Sequence, residues 1–153
     1  MIWGLTFTII LTGCFYNSDD ESPEVIAAIN NFLVTSDKPR LSPSGKYILE
    51  INYVEVEGVK SFHFCIVNSK NSAEIYVSDD YYRIRNNHYL LWGENDSVWV
   101  YSGDLETFYW EESDDGKWIK NTYYLKDKEE VVRVPQALKD LRPRYFGVES
   151  KKD

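Results

Sequence analysis

The sequence predicts a mainly β body: an antiparallel meander, or two packed sheets, of about 7–9 short strands, with one N-terminal helix and a short C-terminal helix. Three observations predict it. Short runs of β-branched and aromatic residues alternate with polar ones, as half-buried strands do. Clusters of Gly, Pro, Asn, Asp and Ser interrupt these runs at short intervals. The aromatics are 12 Tyr, 7 Phe and 5 Trp, side chains that pack well on a pleated surface.

Ser22-Pro23-Glu24 reads as a helix start, with Ser as N-cap, Pro at the first position and an acid in the first turn. Val25, Ile26, Ile29, Phe32 and Leu33 then recur at near-helical spacing, which predicts a helix over 23–34 that packs on the body. Asp37-Lys38-Pro39-Arg40 is a connector, and residues 41–46 form a turn punctuated by Pro43 and Gly45.

A strand follows over 46–56. Tyr47, Leu49, Ile51 and Tyr53 share one face, and then the phase slips to Val54 and Val56, which predicts a bulge near Tyr53. Glu57-Gly58 turns the chain into a strand over 60–67. Ala73, Ile75 and Val77 mark a third strand, Asp79-Asp80 a break, and Arg83-Ile84-Arg85 a short strand. Strands at 88–92 and 97–101 are joined by Gly93-Glu94-Asn95-Asp96. Another covers 106–111, and Asp114-Asp115-Gly116 signals a hairpin into 117–125. Val131-Val132-Arg133-Val134 would close the sheet. Pro135 begins a short helix with Ala137, Leu138 and Leu141, and Pro143 ends it.

At 153 residues the chain suits one domain, assigned to 23–146, with a frayed charged tail at 147–153. The formal net charge is −8, and residues 1–13 carry none of it. An acidic body repels phosphate backbones, which argues against nucleic acid as a partner; plain solubility accounts for the charge, and a basic protein is the partner it would suit.

Residues 1–13 are uncharged and largely apolar, too short to span a bilayer as a helix. Their length suits the apolar region of a signal peptide. They end in Leu11-Thr12-Gly13-Cys14, which closely resembles the lipobox of bacterial lipoproteins. The resemblance implies cleavage between Gly13 and Cys14, lipid on the Cys14 thiol, and a cell-envelope location on a membrane. It covers the leader only. No Lys or Arg occurs before Lys38, whereas leaders of that family begin with basic residues. Residues 14–22 then read as the lipidated Cys and an acidic tether. Phe15 stands where an Asp would signal inner-membrane retention, so the resemblance implies the outer membrane in a didermal cell, and otherwise the outer face of the plasma membrane.

A second, fainter resemblance lies in the body. Ser42-Pro43-Ser44-Gly45-Lys46-Tyr47-Ile48-Leu49 and Trp92-Gly93-Glu94-Asn95-Asp96-Ser97-Val98-Trp99-Val100-Tyr101 are similar to the turn-then-strand of propeller blades. A whole propeller needs more chain than this. Two blade-like sheets packed face to face, or one curved meander, fit the length.

No catalytic constellation, cofactor motif or metal-ligand spacing emerges. His63 and His88 fall in strands, and Cys65, two residues from His63, reads as a small hydrophobe in a buried strand. The acid pairs fall at turns, where solvation explains them. The segment 89–124 is richest in aromatics. Period-two alternation sets Trp99, Tyr101 and Tyr109 opposite Val98, Val100, Phe108 and Trp110. With Trp118, these three are the candidate partner-binding residues if that second face is exposed.

The sequence therefore points to a membrane-anchored envelope lipoprotein acting as a non-enzymatic protein-binding module. An immunity or inhibitor type, acting by occlusion, is one form by analogy. The alternatives are a structural accessory subunit of an envelope assembly, and a carbohydrate-binding or carbohydrate-cleaving protein using surface aromatics and carboxylates.

Overall fold

The computed structural model describes residues 27, 30–84, 88–103, 106–124 and 132–146. The expected lipobox, the tether, most of the expected N-terminal helix and the C-terminal tail lie outside them. Residues 30–34, the described end of that expected helix, are turn and irregular chain.

The described residues form two antiparallel sheets. The first contains β1 (Arg40–Leu41), β2 (Tyr47–Val56), β3 (Val59–Asn68) and β4 (Glu74–Val77), side by side in that order, with β5 (Tyr82–Arg83) also on β3. Asp79-Asp80 breaks this last row as expected. β4 pairs with Cys65–Val67, and β5 pairs with Ser61 and Phe62 farther along the same strand. The second sheet is a meander of β6 (His88–Trp92), β7 (Val98–Ser102), β8 (Thr107–Glu112) and β9 (Trp118–Tyr123). The helices α1 (Gln136–Leu141) and α2 (Pro143–Phe146) follow. Pro143 stops α1 and starts α2, because proline suits a first helical position and no interior one.

The sheets pack face to face. Leu49, Ile51, Phe62, Phe64 and Ile66 of the first meet Leu90, Val98, Val100, Trp110 and Trp118 of the second. Trp110 stands edge-on to Phe64 at 4.8 Å between ring centres, and its indole N–H donates to the Tyr76 hydroxyl at 3.0 Å. A buried indole is thereby satisfied as well as packed. The opposite face of the second sheet is covered too. Leu91, Trp99, Tyr109 and Tyr123 pack against Leu138, Leu141 and Phe146. Burial on both faces explains why Val98, Trp99 and Val100 are all buried in succession.

Two expectations are corrected. The β2–β3 register runs unbroken from Tyr47↔Asn68 to Val56↔Val59, so no bulge lies at Tyr53. The phase slip arises because the hairpin tip extends past the core: Tyr53 and Val56 are exposed. The register shift sits instead between β3 and β4, at Ile66/Val67. Residues 132–134 add no strand, and Val134 is buried in the helix-side core.

The turns follow their residues. Glu57 and Gly58 both take positive φ, 51° and 74°, giving the two-residue hairpin whose twist matches its strands. Gly45 and Gly116 also take positive φ, and each donates its N–H to a serine carbonyl three residues back, Ser42 and Ser113. Turn 42–46 thus resembles turn 113–117 in bonding as well as in sequence. The turns at 42–46, 93–97 and 113–117 gather at one end. The Ser44 N–H donates to Asp96 Oδ1 at 2.9 Å, and the Tyr47 hydroxyl donates to Glu112 Oε2 at 2.6 Å. That acceptor pushes the Tyr47 hydroxyl up to about 12, with burial adding to the shift.

Candidate functional site

The aromatics singled out from the sequence do not form a free face. Trp99 is fully buried. It is stacked on Tyr109 at 4.9 Å, edge-on to Tyr123 at 5.7 Å, and its N–H donates to Ser97 Oγ at 2.9 Å. Tyr109 is buried in the same cluster, while Trp118 is buried on the other side, between the sheets against Tyr47. Tyr101 is half-buried, stacked on Tyr89 and edge-on to Tyr145 and Phe146. The alternation is as expected, but the C-terminal helices cover the second face. With Trp99 and Trp118 enclosed, the sugar-stacking arrangement has no platform on these residues.

The Cys65–His63 pair shares one side of β3, outside the inter-sheet core, as strand periodicity requires. Cys65 is buried between Glu50 Oε2 and Asn52 Nδ2, each 3.7 Å from its sulfur. Burial, reinforced by the Glu50 charge, pushes the thiol up to about 11. It is therefore protonated at neutral pH, the wrong state for a nucleophile or a metal ligand. Among the described residues, no three His, Cys, Asp or Glu side chains converge as a metal site. No described helix is long and apolar enough to cross a membrane.

One concave feature is a cleft of about 380 Å³ beside the 93–97 turn. β1 supplies Leu41, the turn after it Pro43, β6 Trp92, and the start of α1 Pro135 and Ala137. Phe32 and Leu41 are each 59% exposed at this cleft, so it presents apolar surface to solvent. Hydrogen bonds tie parts of its wall together. The Trp92 indole N–H donates to the Arg40 carbonyl at 2.8 Å. The Arg40 guanidinium donates to the carbonyls of Leu33 and Asn30, both at 3.0 Å, which ties the entering chain to β1. Gly93 is required where β6 turns: a methyl there would run into Ser97 Oγ and the Trp99 indole.

Carboxylates stand around the apolar floor. Asp140 of α1 accepts from Gln136 Nε2 at 2.7 Å. Glu94 lines this cleft and also a second, polar one with Glu111, and it meets Arg133 at 3.2 Å in an exposed pair. Such a pair contributes at most about 1 kcal/mol and yields readily to a competing cation.

Sequence reasoning missed these residues because they are brought together from four separate segments. The available signal was Leu41, an apolar residue beside a turn with no alternating partner. The sequence matches no protein family model, no curated protein and no solved structure.

Proposed function

We propose that the chain is a lipid-anchored envelope lipoprotein whose β body is a non-enzymatic protein-binding module, with the cleft beside the 93–97 turn as its contact surface. The anchor rests on Leu11-Thr12-Gly13-Cys14. A diacylglycerol on Cys14 would hold the body at a membrane, because two acyl chains anchor stably where one does not.

One observation carries the binding role: the cleft exposes Phe32 and Leu41 next to the carboxylates of Glu94 and Asp140. An apolar floor with an acidic edge suits an aliphatic or aromatic side chain flanked by Lys or Arg on a partner protein. The net charge of −8 would speed encounter with such a partner. Occlusion of a basic toxin or enzyme, the immunity-type form, is one use of this surface.

Two measurements test the reading. Metabolic labelling with an alkynyl fatty acid should tag the wild-type chain and leave Cys14→Ala untagged. Affinity capture from the native host should recover a partner with wild type that is lost with Leu41→Asp and Phe32→Asp, both at exposed cleft positions, at unchanged melting temperature. Labelling independent of Cys14 overturns the anchor. Capture unaffected by both cleft substitutions overturns the binding site.

A further inference from the structure

Glu94 stands between two recesses. It lines the apolar cleft, and it also lines a polar recess of about 400 Å³ together with Asn95, Glu111 and Arg133. The two recesses therefore adjoin at one carboxylate. Glu111 is positioned from the core outward. The fully buried Trp99 ring donates its N–H to Ser97 Oγ at 2.9 Å, Ser97 Oγ donates to Asn95 Oδ1 at 2.7 Å, and Asn95 Nδ2 donates to Glu111 Oε1 at 3.2 Å. The other oxygen of Glu111 has no partner among the described residues.

Against these two carboxylates the recess sets one cation of the chain's own. Arg133 Nη1 donates to Glu94 Oε2 at 3.2 Å, and the two side chains are 81% and 65% exposed. A guanidinium pairs most strongly with a carboxylate through two parallel bonds, in a dry setting. Here there is one bond, in water, so the pair is weak and exchanges readily. On the cleft side, Asp140 is bonded only to the neutral Gln136 amide. Carboxylates thus outnumber the bases that face them along the whole shared rim.

Resting on the reading of the cleft as a contact surface, we propose that the polar recess is its second subsite and receives an arginine of the partner protein, adjacent in sequence to the apolar side chain that the cleft takes. Arg133 is then an internal stand-in, which the incoming guanidinium displaces from Glu94. Glu111 adds a second negative charge beside the incoming group. Arginine is selected because its guanidinium is the group Glu94 already holds, and because it sheds water more readily than an ammonium. One pair replaces another, so the subsite contributes specificity more than affinity. Arg133 acts as a brake: while it occupies Glu94, the partner must compete for that carboxylate.

The test titrates the full ¹⁵N-labelled chain with acetyl-Arg-Leu-Arg-amide, which offers a base on either side of one apolar residue. The expected result is saturable shifts at the amides of residues 93–97 and 111. The same peptide with citrulline for arginine keeps the shape without the charge, and should bind at least about threefold more weakly. Glu111→Gln should weaken the arginine peptide about two- to fivefold and leave the citrulline peptide unchanged. Arg133→Gln should tighten the arginine peptide about two- to fivefold, because the competing pair is gone. Arg83→Gln removes the same charge from β5, toward the other end of the first sheet, and should not tighten it. Equal binding of the two peptides overturns the proposal, as does an Arg133→Gln gain no larger than that of Arg83→Gln. If Leu41→Asp still weakens both peptides in that case, the cleft reading stands and the arginine subsite alone fails. No saturable shift by about 5 mM peptide, a weak limit for any binding, overturns both.

Discussion

Replacing Trp99 by Ala separates a core residue from a contact residue. The ring is fully enclosed between the second sheet and the C-terminal helices, stacked on Tyr109 and bonded to Ser97. A buried aromatic removes about 150–250 Å² from water, which at about 25 cal/mol per Å² is worth about 4–6 kcal/mol. The alanine keeps part of that, and the site relaxes only partly, so the expected loss is about 3–5 kcal/mol. Against a typical total of about 5–15 kcal/mol, much of the native stability goes. For a body of this size the melting temperature should fall by roughly 10–20 °C. Urea unfolding followed by far-ultraviolet circular dichroism measures it, with the m-value checking that two-state behaviour persists. A loss under about 1 kcal/mol would refute the burial argument and return Trp99 to the surface.

Other substitutions probe separate parts of the structure. Gly93→Ala should cost about 1–3 kcal/mol in the same urea assay, because the added methyl meets Ser97 and Trp99; no loss would mean the turn is free to open. Lys120 lies 4.0 Å above the Phe108 ring, with its ammonium 2.6 Å from Asp80, so Lys120→Ala should lower stability by about 0.5–2 kcal/mol. Part of that loss should vanish near 1 M salt, where screening is short-ranged. Cys65 and Tyr47 hold their protons to about 11 and about 12, above their ordinary values of 9.0 and 10.0. Raised folded values mean the unfolded chain ionises first, so stability is whole below about pH 9 and falls as pH climbs toward 11. Thermal melts across pH 7–11 check the sign. Native Cys65 should also resist a disulfide reagent at pH 7–8 and react once unfolded.

Much of the second sheet was legible because its strands alternate cleanly. Val98, Val100 and Trp110 on one face, and Trp99 and Tyr109 on the other, follow from period two alone. What covers the second face does not follow from period two. That information resides in Leu138, Leu141 and Phe146, more than 25 residues later, whose own pattern gives a short amphipathic helix but not its docking site. β1 was illegible for a different reason: two residues carry no period, and Arg40–Leu41 is a strand only because it pairs with Ile48 and Leu49. The phase slip after Tyr53 looked like a bulge because exposure of a hairpin tip and a register shift change the hydrophobic pattern alike. The cleft required Phe32, Leu41, Trp92 and Ala137 to meet, and no local signal couples those positions.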